Sequence, residues 1–236
     1  MTERQAAIRE NYLAVCERIA DAVSRRGDGV GVKLLAATKT VPADEIVFAA
    51  DVFGLRLAGE NRVQEYSEKY ELVAPHLDGY HFIGHLQTNK VKSVVGRCPL
   101  IHSASSLRLL EEIDRAAAKA GVVQDVLIEV NCAGEEAKSG FFPEEASEAI
   151  AFAEALGGVN VRGIMTMGPA GVENSVLRKY FRETYSIFLD NFGKKPHNIS
   201  EYILSMGMSQ SYELAIEEGA NLVRVGSAIF GGRLYP

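Results

Sequence analysis

Val32-Lys33-Leu34-Leu35-Ala36-Ala37-Thr38 is a short apolar run, and Lys39-Thr40-Val41-Pro42 turns it into a stretch opening with Asp44 and Glu45. A run of this length reads as a buried strand. Pro42 and two acidic residues read as the start of a helix, because Pro needs no amide partner there and the helix dipole favours carboxylates. The strand, loop and helix then recur. Strands over 55–58, 80–83, 100–103, 124–130, 161–165, 202–204 and 222–225 alternate with helices over 63–73, 89–95, 106–120, 143–156, 173–192 and 210–218. Strict alternation implies a parallel sheet with its helices outside. Eight such units in about 200 residues match a compact TIM barrel. An open doubly wound sheet is the rival. Its first crossover more often carries G-x-G-x-x-G, and Lys39-Thr40-Val41-Pro42 carries no glycine. The expected fold is α/β, a single (β/α)8 TIM barrel with an extra N-terminal helix packed outside.

That extra helix is written by Ile8, Tyr12, Val15, Ile19 and Val23, spaced by three and four. Thr2 and Gln5 have capping-box spacing, and Gly27 and Gly29 mark the stop. No linker-like stretch divides the chain, so residues 1–236 read as one domain. Of the 236 residues, 47% are hydrophobic and 24% charged, enough apolar content to offset the entropy of ordering. Lys plus Arg number 25 against 31 Asp plus Glu, a net charge of -6, which argues against a broad nucleic-acid footprint. Cys16, Cys98 and Cys132 are too few and too scattered for a disulfide framework or a zinc site. They suit a reducing compartment. The N-terminus lacks a signal-peptide apolar core, and no apolar run approaches the roughly 18 residues of a membrane span. The expected location is cytoplasmic.

In a TIM barrel the chemistry sits at the C-terminal ends of the strands. Lys39 emerges there from strand one. A desolvated lysine can form a Schiff base with an aldehyde, and the plainer alternative is a lysine reaching into solvent. The loops after strands seven and eight are where such barrels most often hold a phosphate. Here they read Ser205-Met206-Gly207-Met208-Ser209 and Gly226-Ser227, running on to Gly231-Gly232. Glycine lets amides close on an anion and serine adds hydroxyls; ordinary turn chemistry is the alternative. Ser209 is also placed to cap the next helix. Arg224 lies inside strand eight and needs a partner if buried, either a carboxylate or a ring nitrogen of a ligand. Lysine, phosphate loops and arginine together outline a pyridoxal phosphate site.

Those residues belong to a longer pattern. Leu35-Ala36-Ala37-Thr38-Lys39, Gly59-Glu60-Asn61 with Gln64-Glu65, His81-Phe82-Ile83-Gly84 with Leu86-Gln87 and Asn89-Lys90, Val130-Asn131, Lys138-Ser139-Gly140, the strand-seven loop and Val223-Arg224-Val225-Gly226-Ser227-Ala228-Ile229-Phe230-Gly231 occur in order. The chain resembles the YggS/PROSC family of pyridoxal phosphate homeostasis proteins, which are similar to the N-terminal domain of alanine racemase. The resemblance implies pyridoxal 5'-phosphate as cofactor, held by Lys39 as an internal aldimine. It implies Arg224 at the pyridine nitrogen, Ser209, Gly226 and Ser227 at the phosphate with help from Ser205, and Asn61 near the ring. The chain departs from the family pattern twice. Ser211 stands where members often have Asp, and Ser227 where they often have Thr, which keeps the hydroxyl.

Two functions compete: a carrier that buffers and delivers the cofactor, and a racemase-like enzyme. Arginine only donates, so a ring nitrogen facing it stays unprotonated and the ring is a poor electron sink. Racemisation also needs acid–base groups on both faces of the substrate carbon. Lys39 serves one face. Racemases of similar fold bring a tyrosine for the other from a second domain, and the chain ends at Pro236 without one, while Tyr66, Tyr70 and Tyr80 read as packing residues. The carrier reading is favoured. It implies transient contact with apo-enzymes that use the cofactor, and neither nucleic acid nor membrane as partner. His81 and His85 read as core or rim residues rather than metal ligands. Glu111-Glu112, Glu135-Glu136 and Lys138 read as solvated. Met165, Met167, Met206 and Met208 read as core filler, with a cofactor wall as the alternative.

Overall fold

The computed structural model describes residues 1–135, 138–193 and 202–232. Eight parallel strands close in chain order: β1 (Lys33–Ala37), β2 (Leu57–Glu60), β3 (Gly79–Phe82), β4 (Ile101–Ala104), β5 (Gln124–Val130), β6 (Val159–Thr166), β7 (Ile203–Ser205) and β8 (Leu222–Val225). β8 returns to β1, with Leu35 opposite Arg224 and Ala36 opposite Val225. Helices α2 (Ala43–Phe53), α3 (Val63–Val73), α4 (Leu107–Ala120), α5 (Ala146–Glu154), α6 (Asn174–Phe192) and α7 (Tyr212–Glu217) run outside, and a 3-10 turn over Thr88–Ser93 joins β3 to β4. The fold is the (β/α)8 TIM barrel expected from the alternation.

Strand residues alternate between two apolar layers. Leu35, Ile83 and Leu222, and Leu100, Leu127 and Met165, form two small clusters apart from the main core. They fill the barrel interior. The larger core lies between strands and helices, with Ala36, Phe82, Ile101, Val126, Ile128 and Val223 from the sheet against Ile46, Tyr66, Leu110, Ile113 and Ile216. Each fully buried Val, Leu, Ile or Phe among them contributes roughly 1.5–3 kcal/mol.

Helix α1 (Glu3–Arg26) begins with the expected capping box: Gln5 N–H donates to Thr2 Oγ1 at 3.2 Å and Thr2 N–H to Gln5 Oε1 at 2.8 Å. It buries Ile8, Val15, Ile19 and Ala22 and packs outside the barrel, on α2, α7 and the short C-terminal helix α8 (Ser227–Phe230). Arg18 pairs with Glu213 and Arg25 with Glu217 along that seam.

Several boundaries differ from the sequence expectation. Strand two starts at Leu57, not Leu55, because Leu55 closes helix α2: its N–H returns to Ala49 O at 3.2 Å while Gly54 N–H bonds Ala50 O. The helix expected over 143–156 is a 3-10 turn, Pro143–Glu145, followed by α5. Residues 227–230, expected as loop, form α8. Helix α7 starts at Tyr212, with Ser211 rather than Ser209 at its N-terminal boundary and no side-chain cap bond. Of the acidic pair Glu135-Glu136, Glu136 lies outside the described residues. Among the described residues, no helix is long and apolar enough to cross a membrane.

Candidate cofactor site

Arg224 is 4% exposed and projects into the barrel near its C-terminal mouth. Its Nη1 donates to Ser205 O at 2.8 Å and Ser205 Oγ at 2.6 Å, and its Nη2 donates to Thr166 O at 2.8 Å. These acceptors belong to β6 and β7, so the guanidinium reaches across two neighbouring strands. No carboxylate among the described residues bonds it. Glu129 acts on it only at longer range, and burial pushes its pKa down to about 10. At neutral pH it is therefore still a cation that can only donate. Behind it a chain of hydrogen bonds enters the barrel. Ser205 Oγ lies 3.2 Å from His102 Nδ1, and His102 Nε2 lies 3.0 Å from His81 Nδ1. Ser205 Oγ accepts from the arginine and retains one proton and one further lone pair, so the direction of the bonds through the two rings is set by which tautomer each histidine takes.

The β7 and β8 loops are joined by one hydroxyl. Ser209 Oγ accepts from Gly226 N–H at 3.1 Å and from Ala228 N–H at 3.3 Å. Ser209 therefore ties the two loops rather than capping α7. Ser227 stands between the two bonded amides and is exposed at the rim. Gly226 passes so close to β1 that a Cβ there would sit 2.9 Å from Ala37 O. Ser211 has a polar role in the same loop: its Oγ accepts from Met208 N–H at 3.1 Å.

On the neighbouring strand, Lys39 is half-buried just after β1. The next residue, Thr40, has φ 64°, the only non-glycine positive φ among the described residues. Asn61, after β2, has a buried Oδ1 without a hydrogen-bond partner. Its backbone is pressed against Gly84, where a Cβ would sit 2.0 Å from Asn61 O. Lys39, Asn61, Ser205, Ser209, Arg224, Gly226 and Ser227 thus lie on four consecutive strand ends: β7, β8, β1 and β2.

Other expectations separate. Asn131 braces the β5 loop, with Nδ2 on Glu135 O at 2.8 Å and Oδ1 accepting from Glu135 N–H. Lys138 is not simply solvated: its Nζ is 2.6 Å from Glu135 Oε1. The methionines do not form one wall, since Met165 and Met206 are buried in different clusters while Met167 and Met208 are exposed. His81 is core and His85 is exposed. Tyr66 and Tyr80 stack with centroids 4.9 Å apart, as packing residues. Two interior groups went unnoticed in the sequence, His102 and Glu129. Glu129 accepts from Ser139 Oγ at 3.1 Å through one oxygen, the other oxygen being buried and without a partner, and burial raises its pKa. Its signal was the alternation of β5, which places Leu127 and Glu129 on one face.

The chain matches the family described as alanine racemase, N-terminal domain, over residues 5–234. A pyridoxal phosphate homeostasis protein of Aquifex aeolicus is 44% identical over 227 residues, 96% of this chain and 98% of that one. The chain belongs to the pyridoxal phosphate homeostasis protein family. A solved member of similar fold, PipY of Synechococcus elongatus with PLP bound, is 29% identical with a TM-score of 0.79, covering 95% of this chain and 100% of that one. Alanine racemase of Clostridium difficile, 16% identical with a TM-score of 0.67 over 97% of this chain and 56% of that one, shares the fold. Within the homeostasis family, the resemblance drawn from the seven sequence blocks therefore holds.

Proposed function

We propose that this chain binds pyridoxal 5'-phosphate reversibly through Lys39 and serves its storage and delivery, without robust turnover. Arg224 carries the reading. It is a buried cation held by carbonyls and a hydroxyl, with no carboxylate among the described residues bonded to it, on the strand paired with the one that leads to Lys39. Such a group suits a neutral acceptor such as a ring nitrogen. The orphaned Asn61 Oδ1 and the joined Ser209–Gly226 loops are further features that a polar, phosphate-bearing ring would satisfy. PipY, solved with PLP bound, supports the same ligand.

When bound, the cofactor supplies an aldehyde that condenses with amines and a ring that withdraws electrons. Lys39 would hold the aldehyde, Ser209, Gly226 and Ser227 the phosphate with Ser205 behind them, and Asn61 would lie beside the ring. Arg224 can only donate, so it leaves the ring nitrogen without a proton and the ring's electron withdrawal weak. Tyr66 and Tyr80 are committed to packing and supply no second acid–base group. Both features favour holding over turnover. The reading takes residues 1–236 as one cofactor-binding domain, working in the cytoplasm, where thiols such as buried Cys98 and Cys132 stay reduced. Apo-enzymes receiving the cofactor would be its transient partners.

Borohydride reduction of the loaded protein tests this. The cofactor should be fixed on the peptide carrying Lys39, and Lys39→Ala should abolish the link while retaining some phosphate-anchored binding. A label on Lys33, Lys90 or Lys138 instead would refute the site.

A further inference from the structure

We propose that Glu60, Glu65 and Lys69 form a clamp that sets the backbone on both sides of Lys39, making Glu65 and Lys69 positioning residues for the covalent link. This rests on the reading of Lys39 as the cofactor-bearing lysine. The clamp is complete on each flank. On the N-terminal side, Thr38 Oγ1 donates to Glu60 Oε1 at 2.9 Å, and Thr38 O accepts from Lys69 Nζ at 3.1 Å. On the C-terminal side, Thr40 N–H donates to Glu65 Oε2 at 2.8 Å. Lys69 joins the two flanks, with Nζ 2.7 Å from Glu60 Oε1 and 3.3 Å from Glu65 Oε2. Its three protons thus meet three acceptors. Tyr80 OH adds a donor to Glu60 Oε1 at 3.2 Å.

The conformation that this network holds is one the residue itself disfavours. Thr40 is β-branched and sits at φ 64°. A β-branched residue is a genuine outlier there, and such strain persists only where the surroundings over-determine it. A backbone turn bond, Val41 N–H to Thr38 O at 3.0 Å, closes around Thr40, and the bond from Thr40 N–H to Glu65 fastens the strained residue from a different element, α3. Without the Glu65 bond the turn alone would hold Thr40, leaving the chain next to Lys39 freer to shift. Burial adds to the rigidity: Glu60 is fully buried, and the side chains of Lys69 and Glu65 are 14% and 20% exposed. The clamp touches neither the β7 loop nor the β8 loop, so the phosphate side of the mouth is independent of it. That separation makes the idea testable. A lost clamp should impair the link to Lys39 and leave phosphate anchoring intact.

Two ligands separate those effects. Pyridoxal 5'-phosphate can link to Lys39; pyridoxine 5'-phosphate carries the same ring and phosphate but no aldehyde. Both affinities would be measured by titration calorimetry or fluorescence on the full chain, with thermal unfolding as the control. For Glu65→Ala and Lys69→Met, pyridoxal 5'-phosphate affinity should fall by about tenfold or more, the scale of a lost charge-assisted hydrogen bond. Pyridoxine 5'-phosphate affinity should change less than about twofold, on the independence of the phosphate loops. Glu65→Gln keeps an oxygen for Thr40 N–H and should retain most of the pyridoxal 5'-phosphate affinity. Equal losses for both ligands, or no loss for either, would overturn the clamp. Lys39→Ala runs beside them. If it fails to separate the two ligands, the reading of Lys39 itself is wrong; if it separates them and Glu65→Ala does not, only the clamp fails.

Discussion

Acidification should weaken this barrel through the buried pair His81 and His102. The two rings share a 3.0 Å hydrogen bond inside the barrel, and His102 Nδ1 lies 3.2 Å from Ser205 Oγ. Burial pushes His81 down to about 4 and His102 well below its ordinary value, with Lys33 acting on His81 and Arg224 on His102 in the same direction. An unfolded histidine takes its proton near pH 6.5. Between there and about 4 the unfolded state binds more protons, so stability present above pH 6.5 is lost as pH falls. At about 1.4 kcal/mol per pH unit, His81 alone removes roughly 3 kcal/mol by about pH 4. His102 adds to the loss, although a proton on either ring opposes the second. Glu60 and Glu129 act oppositely: burial raises both, so protonating them on acidification favours the folded state. The useful comparison is therefore between wild type and His81→Gln/His102→Gln, in which the carboxylate contributions cancel. Urea unfolding would be measured at intervals from about pH 7.5 to 4.5. Wild type should lose roughly 2–3 kcal/mol more than the double variant between about pH 6.5 and 4.5. Equal losses would refute the assignment of a neutral, buried pair.

Ser209→Ala should weaken cofactor binding by roughly 1.5–3 kcal/mol, since it removes a hydroxyl bonded to two amides and unties the β8 loop from the β7 loop. Ser227→Ala should fall in the same range through the phosphate alone, and unchanged affinity in both variants would place the phosphate elsewhere. With cofactor bound, incubation with each L-amino acid should yield negligible D-form by chiral chromatography, because Arg224 leaves the ring a weak electron sink and the site is one-sided. Robust turnover abolished by Lys39→Ala would make the racemase-like account the better one.

Much of the architecture was legible because barrel strands are buried on both faces and read as apolar runs. Gln124–Val130 and Leu222–Val225 were bounded correctly for that reason. Where a residue served two masters, the reading slipped. Leu55 is as apolar as a strand residue, yet its amide is claimed by the helix before it. Ser205 reads as loop, yet it ends β7 and orients Arg224 from inside. Ser227-Ala228-Ile229-Phe230 was hidden among glycines and serines, although Ile229 and Phe230 are buried. Lys39, Arg224 and the serine loops stood out because their chemistry is unusual at strand ends. Glu60 and Glu65 were visible only as motif letters, since their partners, Thr40 N–H and Lys69, meet through folding across helix α3 and cannot be read from spacing alone.

Helix α1 has a consequence for synthesis. It precedes all eight strands, and its apolar stripe rests on α7 and α8, about 200 residues further along the chain, with Asn11 Nδ2 reaching Ile229 O at 3.1 Å. The strand that follows it, β1, waits equally long for β8. As the chain leaves the ribosome, Ile8, Val15 and Ile19 therefore have no complete surface to cover them until β8 and α8 emerge. Contacts this distant in sequence carry the largest loop-closure entropy and form late. The nascent chain then carries an uncovered apolar helix and an unpaired β1 edge, the features that invite association with other chains. Cutting the chain before residue 222 leaves both exposed, so β8 and α8 shield α1 and β1 from aggregation as well as completing the barrel.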